Sequence, residues 1–281
     1  MKRTSLLGVI FATLALGSAA APDFLVPALN EPATSESHPG KFVWADLFTA
    51  DPAASRKFYT DLFGWKWQVL GEAYAVAYVN GLPVAGAVHR PTVQGETGKA
   101  RWVGFIAVAD IAATDKSVSV HGGRTVLEPR AIANRGQVAV FADAEGVLFG
   151  AVQSSSGDPA DYEAATGEWS WTQLFSGAEA KATDFYRAVF GYEVQAAAQK
   201  GSYLMREGLA RAGLSQLAEE NRQNPQWLGF IRVASLADTV ARAKTLGGSI
   251  QYQSENPHVA IIADPAGALV GVIEPANTGG K

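Results

Sequence analysis

Apolar and polar positions along this chain alternate between two rhythms, and the whole pattern occurs twice. The first apolar run after residue 40, Phe42 to Thr49, has the length of a strand. Ala54, Phe58 and Leu62, flanked by Tyr59, then recur at helical spacing, which predicts a helix over Ala53 to Phe63. Asp51-Pro52 supplies an N-cap followed by proline at the first helical position, and Gly64 ends the helix. Three short strands follow: Trp65 to Leu70, Tyr74 to Val79 and Val84 to His89. A second round opens with a strand from Trp102 to Ala109. Asp110 or Thr114 caps its helix, which stops before Gly122-Gly123. Strands over Arg124 to Leu127, Gln137 to Phe141 and Leu148 to Gln153 complete it. One copy therefore reads βαβββ twice.

The second copy repeats these marks at a constant offset. Trp44 meets Trp171, Leu47-Phe48 meets Leu174-Phe175, and Phe58-Tyr59 meets Phe185-Tyr186. Phe63-Gly64-Trp65 meets Phe190-Gly191-Tyr192, and Gly81 and Gly86 meet Gly208 and Gly213. With small gaps, Trp102-Val103-Gly104-Phe105-Ile106 corresponds to Trp227-Leu228-Gly229-Phe230-Ile231. Two long copies mean tandem domains rather than a solenoid. We place the first at residues 41–153 and the second at 166–275, joined by a breaker-rich linker at 154–165. Each is an α+β unit.

Composition changes this picture mainly at the N-terminus. Lys2-Arg3, the apolar stretch Leu6 to Leu16 and the small residues Ser18 and Ala20 have the layout of a secretory signal peptide over residues 1–20. The expected location is thus exported, periplasmic or secreted. Residues 21–40 are rich in Pro, Ser, Glu and Ala and read as an extended tether. The chain has no cysteine, which removes disulfides, thiolate metal sites and a lipoprotein anchor. A formal charge of -4 argues against nucleic acid as a partner, and no membrane association is expected after signal cleavage. The sequence leaves the oligomeric state open. It carries no nucleophile elbow and no dinucleotide or phosphate-binding glycine motif.

The strand followed by Asp51-Pro52-x-x-Ser55-x-x-Phe58-Tyr59-x-x-Leu62-Phe63-Gly64-Trp65, with the closing turns Asp143-Ala144-Glu145-Gly146 and Asp264-Pro265-Ala266-Gly267, resembles the vicinal oxygen chelate superfamily. This is the glyoxalase/bleomycin-resistance/dioxygenase group. The resemblance runs from about Phe42 to Glu274 and is strongest to tandem two-domain glyoxalase-like members. It implies that paired βαβββ units curl their sheets into cups. It also implies that a divalent ion is held in each cup by His, Gln or Glu from the first, fifth and last strands. Those positions fall here on Trp44, Trp102 and Gly150, and in the second copy on Trp171, Trp227 and Gly271. None of these side chains ligates a metal. The expectation is no cofactor, with a divalent metal left open only through noncanonical ligands.

Two readings of the substitution remain. The tryptophans plug an unused cavity, or they wall a cup that binds a small apolar or aromatic molecule. The second makes Trp44, Trp102, Gly150, Trp171, Gln173, Trp227 and Gly271 candidate ligand-binding residues. An enzymatic alternative, a glyoxalase-type lyase, isomerase or dioxygenase, centres on Asp46 and His89 as an acid–base or metal pair. Asp46 lies two residues beyond Trp44 on the same strand face, with Gln173 as its counterpart. His89 ends an apolar strand. The other histidines read as structural or exposed: His38 in the tether, His121 at a helix end, His258 at a strand start. Arg101, Arg130 and Arg135 are candidate receivers of an anionic ligand. A degenerate interaction module is a third reading.

Overall fold

The computed structural model describes residues 25–91, 99–198, 200–255 and 258–275. The expected signal peptide lies outside them. The first domain runs β1 (Phe42–Thr49), α1 (Pro52–Phe63), β2 (Lys66–Val69), β3 (Tyr74–Val79), β4 (Leu82–His89), β5 (Arg101–Ala107), α2 (Ile111–Val120), β6 (Arg124–Ile132), β7 (Gly136–Ala142) and β8 (Leu148–Ser154). The second repeats it with β9 (Trp169–Ser176), α3 (Glu179–Phe190), β10 (Glu193–Ala196), β11 (Ser202–Arg206), β12 (Leu209–Gln216), β13 (Gln226–Arg232), α4 (Leu236–Thr245), β14 (Ser249–Gln253), β15 (Val259–Ala263) and β16 (Leu269–Ile273). Each domain is one eight-stranded sheet, in the orders β2-β3-β4-β1-β5-β8-β7-β6 and β10-β11-β12-β9-β13-β16-β15-β14.

The helix ends follow their capping chemistry. The Asp51 side chain accepts from the Ala54 amide at 3.0 Å, and Gly64 stops α1 at φ 75, a conformation a Cβ would strain. Asp110, rather than Thr114, caps α2 through the Ala113 amide.

Burial divides each strand between two faces. Leu47, Phe58, Tyr59, Leu62 and Trp65 of the first domain share one core with Ile231, Leu236, Val240, Ile262 and Val270 of the second. Ile106, Val118, Phe141 and Phe149 share another with Leu174, Phe185, Tyr186 and Trp227. The helical faces of the two domains therefore bury each other. A third cluster, with Trp44, Val76, Val103, Phe105, Val138, Val140 and Val152, contains no helix residue and fills the open face of the first sheet.

Residues 25–40 do not hang free. Leu29 packs against that third cluster. The Leu29 and Asn30 amides donate to Ser156 Oγ at 3.1 and 3.2 Å, and the Thr34 amide donates to the Ser156 carbonyl at 2.9 Å. The His38 amide donates to Asp158 Oδ2 at 2.7 Å. The segment read as a tether is a strap across the first domain, held by backbone bonds that composition does not reveal. It pins the linker in turn.

Candidate functional site

Pairing of β1 sets the open face of the first domain. Trp44 lies opposite Phe105 and Asp46 opposite Val103, while Asp46 pairs with Gly86 on the other side. Phe105 in turn pairs with Gly150. On this face the Trp44 indole Nε1 donates to Asp46 Oδ1 at 2.8 Å, and the Tyr74 hydroxyl donates to the same oxygen at 2.8 Å. Gly86 makes room for this junction, since a Cβ there would overlap both the Asp46 carboxylate and the Tyr74 hydroxyl. The guanidinium of Arg135, from the β6–β7 turn, lies 3.9 Å over the Trp44 ring. Arg135 is 4% exposed. Among the described residues no acceptor reaches its Nε or one of its terminal nitrogens, Nη2.

Burial pushes the Asp46 carboxyl up from its ordinary value, against the two hydrogen bonds and the charges of Arg135 and Arg130. Burial also pulls Arg135 down from its usual value, opposed by Tyr74 and Asp46. Tyr74 is pushed well above the ordinary phenol by burial and then by the Asp46 charge.

The second domain carries an uncharged version. The Trp171 Nε1 donates to Gln173 Oε1 at 3.1 Å, and Gln173 Nε2 donates to Ser215 Oγ at 3.0 Å. Tyr203 meets the Trp171 ring edge-on at 6.0 Å.

Four of the expected site residues do not line the cups in the way the sequence implied. Trp102 pairs with Leu47 and Trp227 with Leu174, so both point to the helical side. There Trp102 Nε1 donates to the Tyr59 hydroxyl at 2.8 Å and Trp227 Nε1 to that of Tyr186 at 2.7 Å. Val103 and Phe105, or Leu228 and Phe230, face the cup instead. Gly150 and Gly271 leave no opening for a ligand, because the Phe105 and Phe230 rings occupy the space a Cβ would need.

His89 and Asp46 are not brought together. Asp46 pairs with Gly86, whereas His89 pairs with Thr49 three residues along, on the opposite strand face and exposed. His121 caps its helix through Nδ1 and the Ser117 carbonyl at 2.8 Å. Tyr74 escaped the sequence reading, although the repeated glycines at 86 and 213 mark the place where it meets Asp46.

The divalent ion of the resembled superfamily does not fit these residues. Among the described residues no three His, Asp or Glu side chains gather in a way that could hold a metal. Among the described residues the first cup offers the Asp46 carboxylate, already accepting two bonds and facing a buried guanidinium. The second places Gln173 at the equivalent position.

A family model described as Glyoxalase/Bleomycin resistance protein/Dioxygenase superfamily matches residues 41–150, and one described as Glyoxalase-like domain matches 177–273. The anthracycline biosynthesis protein DnrV of Streptomyces peucetius is 31% identical over 268 residues, covering 86% of this chain and 98% of its own. The Mn(II)-bound glyoxalase of Novosphingobium aromaticivorans shares the fold with a TM-score of 0.60 at 17% identity, covering 85% of this chain and 83% of its own. A homoprotocatechuate 2,3-dioxygenase variant from B. fuscum does so at 0.58 and 13%, covering 88% and 74%. Repeat, sheet order and these matches agree: the chain belongs to the glyoxalase/bleomycin resistance protein/dioxygenase superfamily, as a member with two tandem domains.

Proposed function

We propose that this is an exported protein that binds a small aromatic or largely apolar molecule in its first cup without a metal ion. One observation carries the reading: a buried guanidinium stacked on Trp44 with unpartnered N–H groups. A buried donor left unpaired costs roughly 1–3 kcal/mol, more when charged. A carbonyl or phenolate oxygen on a ligand would recover that cost, and apolar neighbours such as Phe105 and Val138 would hold its rings. The name of the relative DnrV, an anthracycline biosynthesis protein, supports an aromatic ligand class. Export rests on the layout of residues 1–20. In this reading the strap bearing Leu29 lifts to admit the ligand and closes over it.

A second reading is favoured by the raised Asp46 carboxyl beside the Tyr74 hydroxyl. A carboxylate of raised proton affinity is suited to take a proton from carbon or oxygen of a bound carbonyl compound, with the phenol donating to the oxygen that gains charge. That would make the protein a metal-independent isomerase or lyase, without His89.

Thermal denaturation with a panel of hydroxylated quinones and aromatic ketones tests the binding reading, since a ligand of the folded state must raise the melting temperature. The expected result is a saturable rise for at least one compound, lost in Arg135→Gln. A panel without any rise contradicts it, and turnover of a stabilising compound that vanishes in Asp46→Asn selects the enzymatic reading.

A further inference from the structure

A cavity of about 550 Å³ lies between the domains, at the strand starts, and reaches Trp44 and Trp171 at the edges of the two cups. Repeat-related strand starts build its aromatic walls. Phe42 of β1 lies against Trp227, ring centroids 4.8 Å apart, and Trp169 of β9 lies against Trp102 at 5.2 Å. Phe42, Trp102 and Trp169 keep part of their surface exposed. Their polar handles are already used. Trp102 donates to Tyr59, Trp227 to Tyr186, and Trp169 to the Val84 carbonyl at 2.9 Å. The walls therefore offer ring surface and no free indole donor.

The two ends of the cavity differ in charge. At one end Lys41 and Arg211 both converge on Asp161 of the linker, at 2.9 Å for Lys41 and at 2.7 and 2.9 Å for Arg211. Two cations share one carboxylate, so a positive charge is left over. The Arg211 side chain is 4% exposed, and among the described residues nothing accepts from its Nε. At the other end Glu168 is already bonded, by Asn80 Nδ2 at 3.1 Å and by the Ala165 amide at 2.9 Å. Lys41 Nζ also donates to the Pro159 and Ala160 carbonyls, at 2.6 and 2.8 Å, so its donors hold the linker; the surplus charge and the unpartnered Arg211 Nε are what remain for a ligand.

We propose that this interdomain cleft is a second ligand site, beside the cups, that takes a planar aromatic carboxylate. Its ring lies on the Phe42, Trp102 and Trp169 surface, and its carboxylate meets the Arg211 Nε at the cationic end. A volume of this size lies in the range of ordinary small-molecule sites.

The test titrates the full mature chain with 2-naphthoate and follows tryptophan fluorescence. The expected result is saturable quenching, with affinity at least tenfold weaker in Ala210→Trp, which fills the cleft from an exposed position, and in Lys41→Gln, which removes the spare charge. Arg135→Gln, in the cup, should leave it unchanged. Absence of saturable quenching in the wild type overturns the proposal. So does unchanged affinity in Lys41→Gln, or loss confined to Arg135→Gln, which places the ligand in the cup. If Ala210→Trp fails to fold, Lys41→Gln still decides. An uncharged analogue, 2-naphthalenemethanol, binding as tightly as 2-naphthoate would overturn the carboxylate assignment.

Discussion

At Asp46, burial and hydrogen bonding act on one carboxylate in opposite directions, and burial wins. A carboxyl whose folded value is raised binds its proton more tightly when folded. Its contribution to stability is complete below the unfolded value near 3.8 and is lost as pH rises through the folded value. Asp46→Asn keeps an acceptor for Trp44 and Tyr74 but does not titrate. The stability of wild type minus that of Asp46→Asn should therefore fall as pH rises above about 4. Urea unfolding midpoints of both proteins across pH 3 to 8 measure this, and a difference that rises with pH contradicts it. The Asp46 and Trp44 positions were legible from strand alternation alone. The faces of Trp102 and Trp227 were not, because they depend on how β5 registers on β1, and β13 on β9, which a single strand does not encode. Arg135 was legible only as an arginine in a loop; its stacking on Trp44 is a product of the β6–β7 turn.

Between elements, the two copies exchange matched relays. Trp102 donates to Tyr59, whose hydroxyl donates to Asp264 Oδ2 at 3.3 Å in the other domain. Trp227 donates to Tyr186, which donates to Asp143 Oδ2 at 2.9 Å. Each aspartate uses its second oxygen to close its own turn, Asp143 on the Glu145 and Val147 amides and Asp264 on those of Ala266 and Ala268. The Phe-Tyr pair on each helix and the Asp-x-x-Gly turn stood out in the sequence as separate motifs. The structure joins them across the interface. Tyr186→Phe leaves the Trp227 N–H unpaired and takes a donor from Asp143, in full burial. It should cost about 2 kcal/mol. Chemical denaturation at pH 7 checks this, and a loss under about 0.5 kcal/mol would make the relay incidental. The strap escaped the sequence reading for a related reason. Its composition is that of a linker, and its attachment is through backbone amides to Ser156.

At the scale of the whole molecule, neither domain owns the core on its helical side. Each helical cluster draws about equally on the two copies, and Trp169 of the second domain sits among Trp65 and Trp102 of the first. Residues 41–153 expressed alone should therefore expose both half-cores, bind a hydrophobic dye and lose the near-ultraviolet circular dichroism of Trp65, Trp67 and Trp102, which pack in the shared core. A cooperative, dye-silent fragment would show that the interface is dispensable. The repeat made the two-domain organisation legible, but not that the domains bury their helical faces against each other, which leaves both cups facing outward. Ligand binding in the first of those cups is measured by calorimetric titration with a hydroxylated anthraquinone. The chain is first stripped exhaustively with chelator, and the wild type is compared with Arg135→Gln. Binding should survive chelation and weaken by about 10- to 100-fold in the variant, the loss of one charged hydrogen bond. Binding that disappears with the metal, or that is indifferent to Arg135, would contradict it.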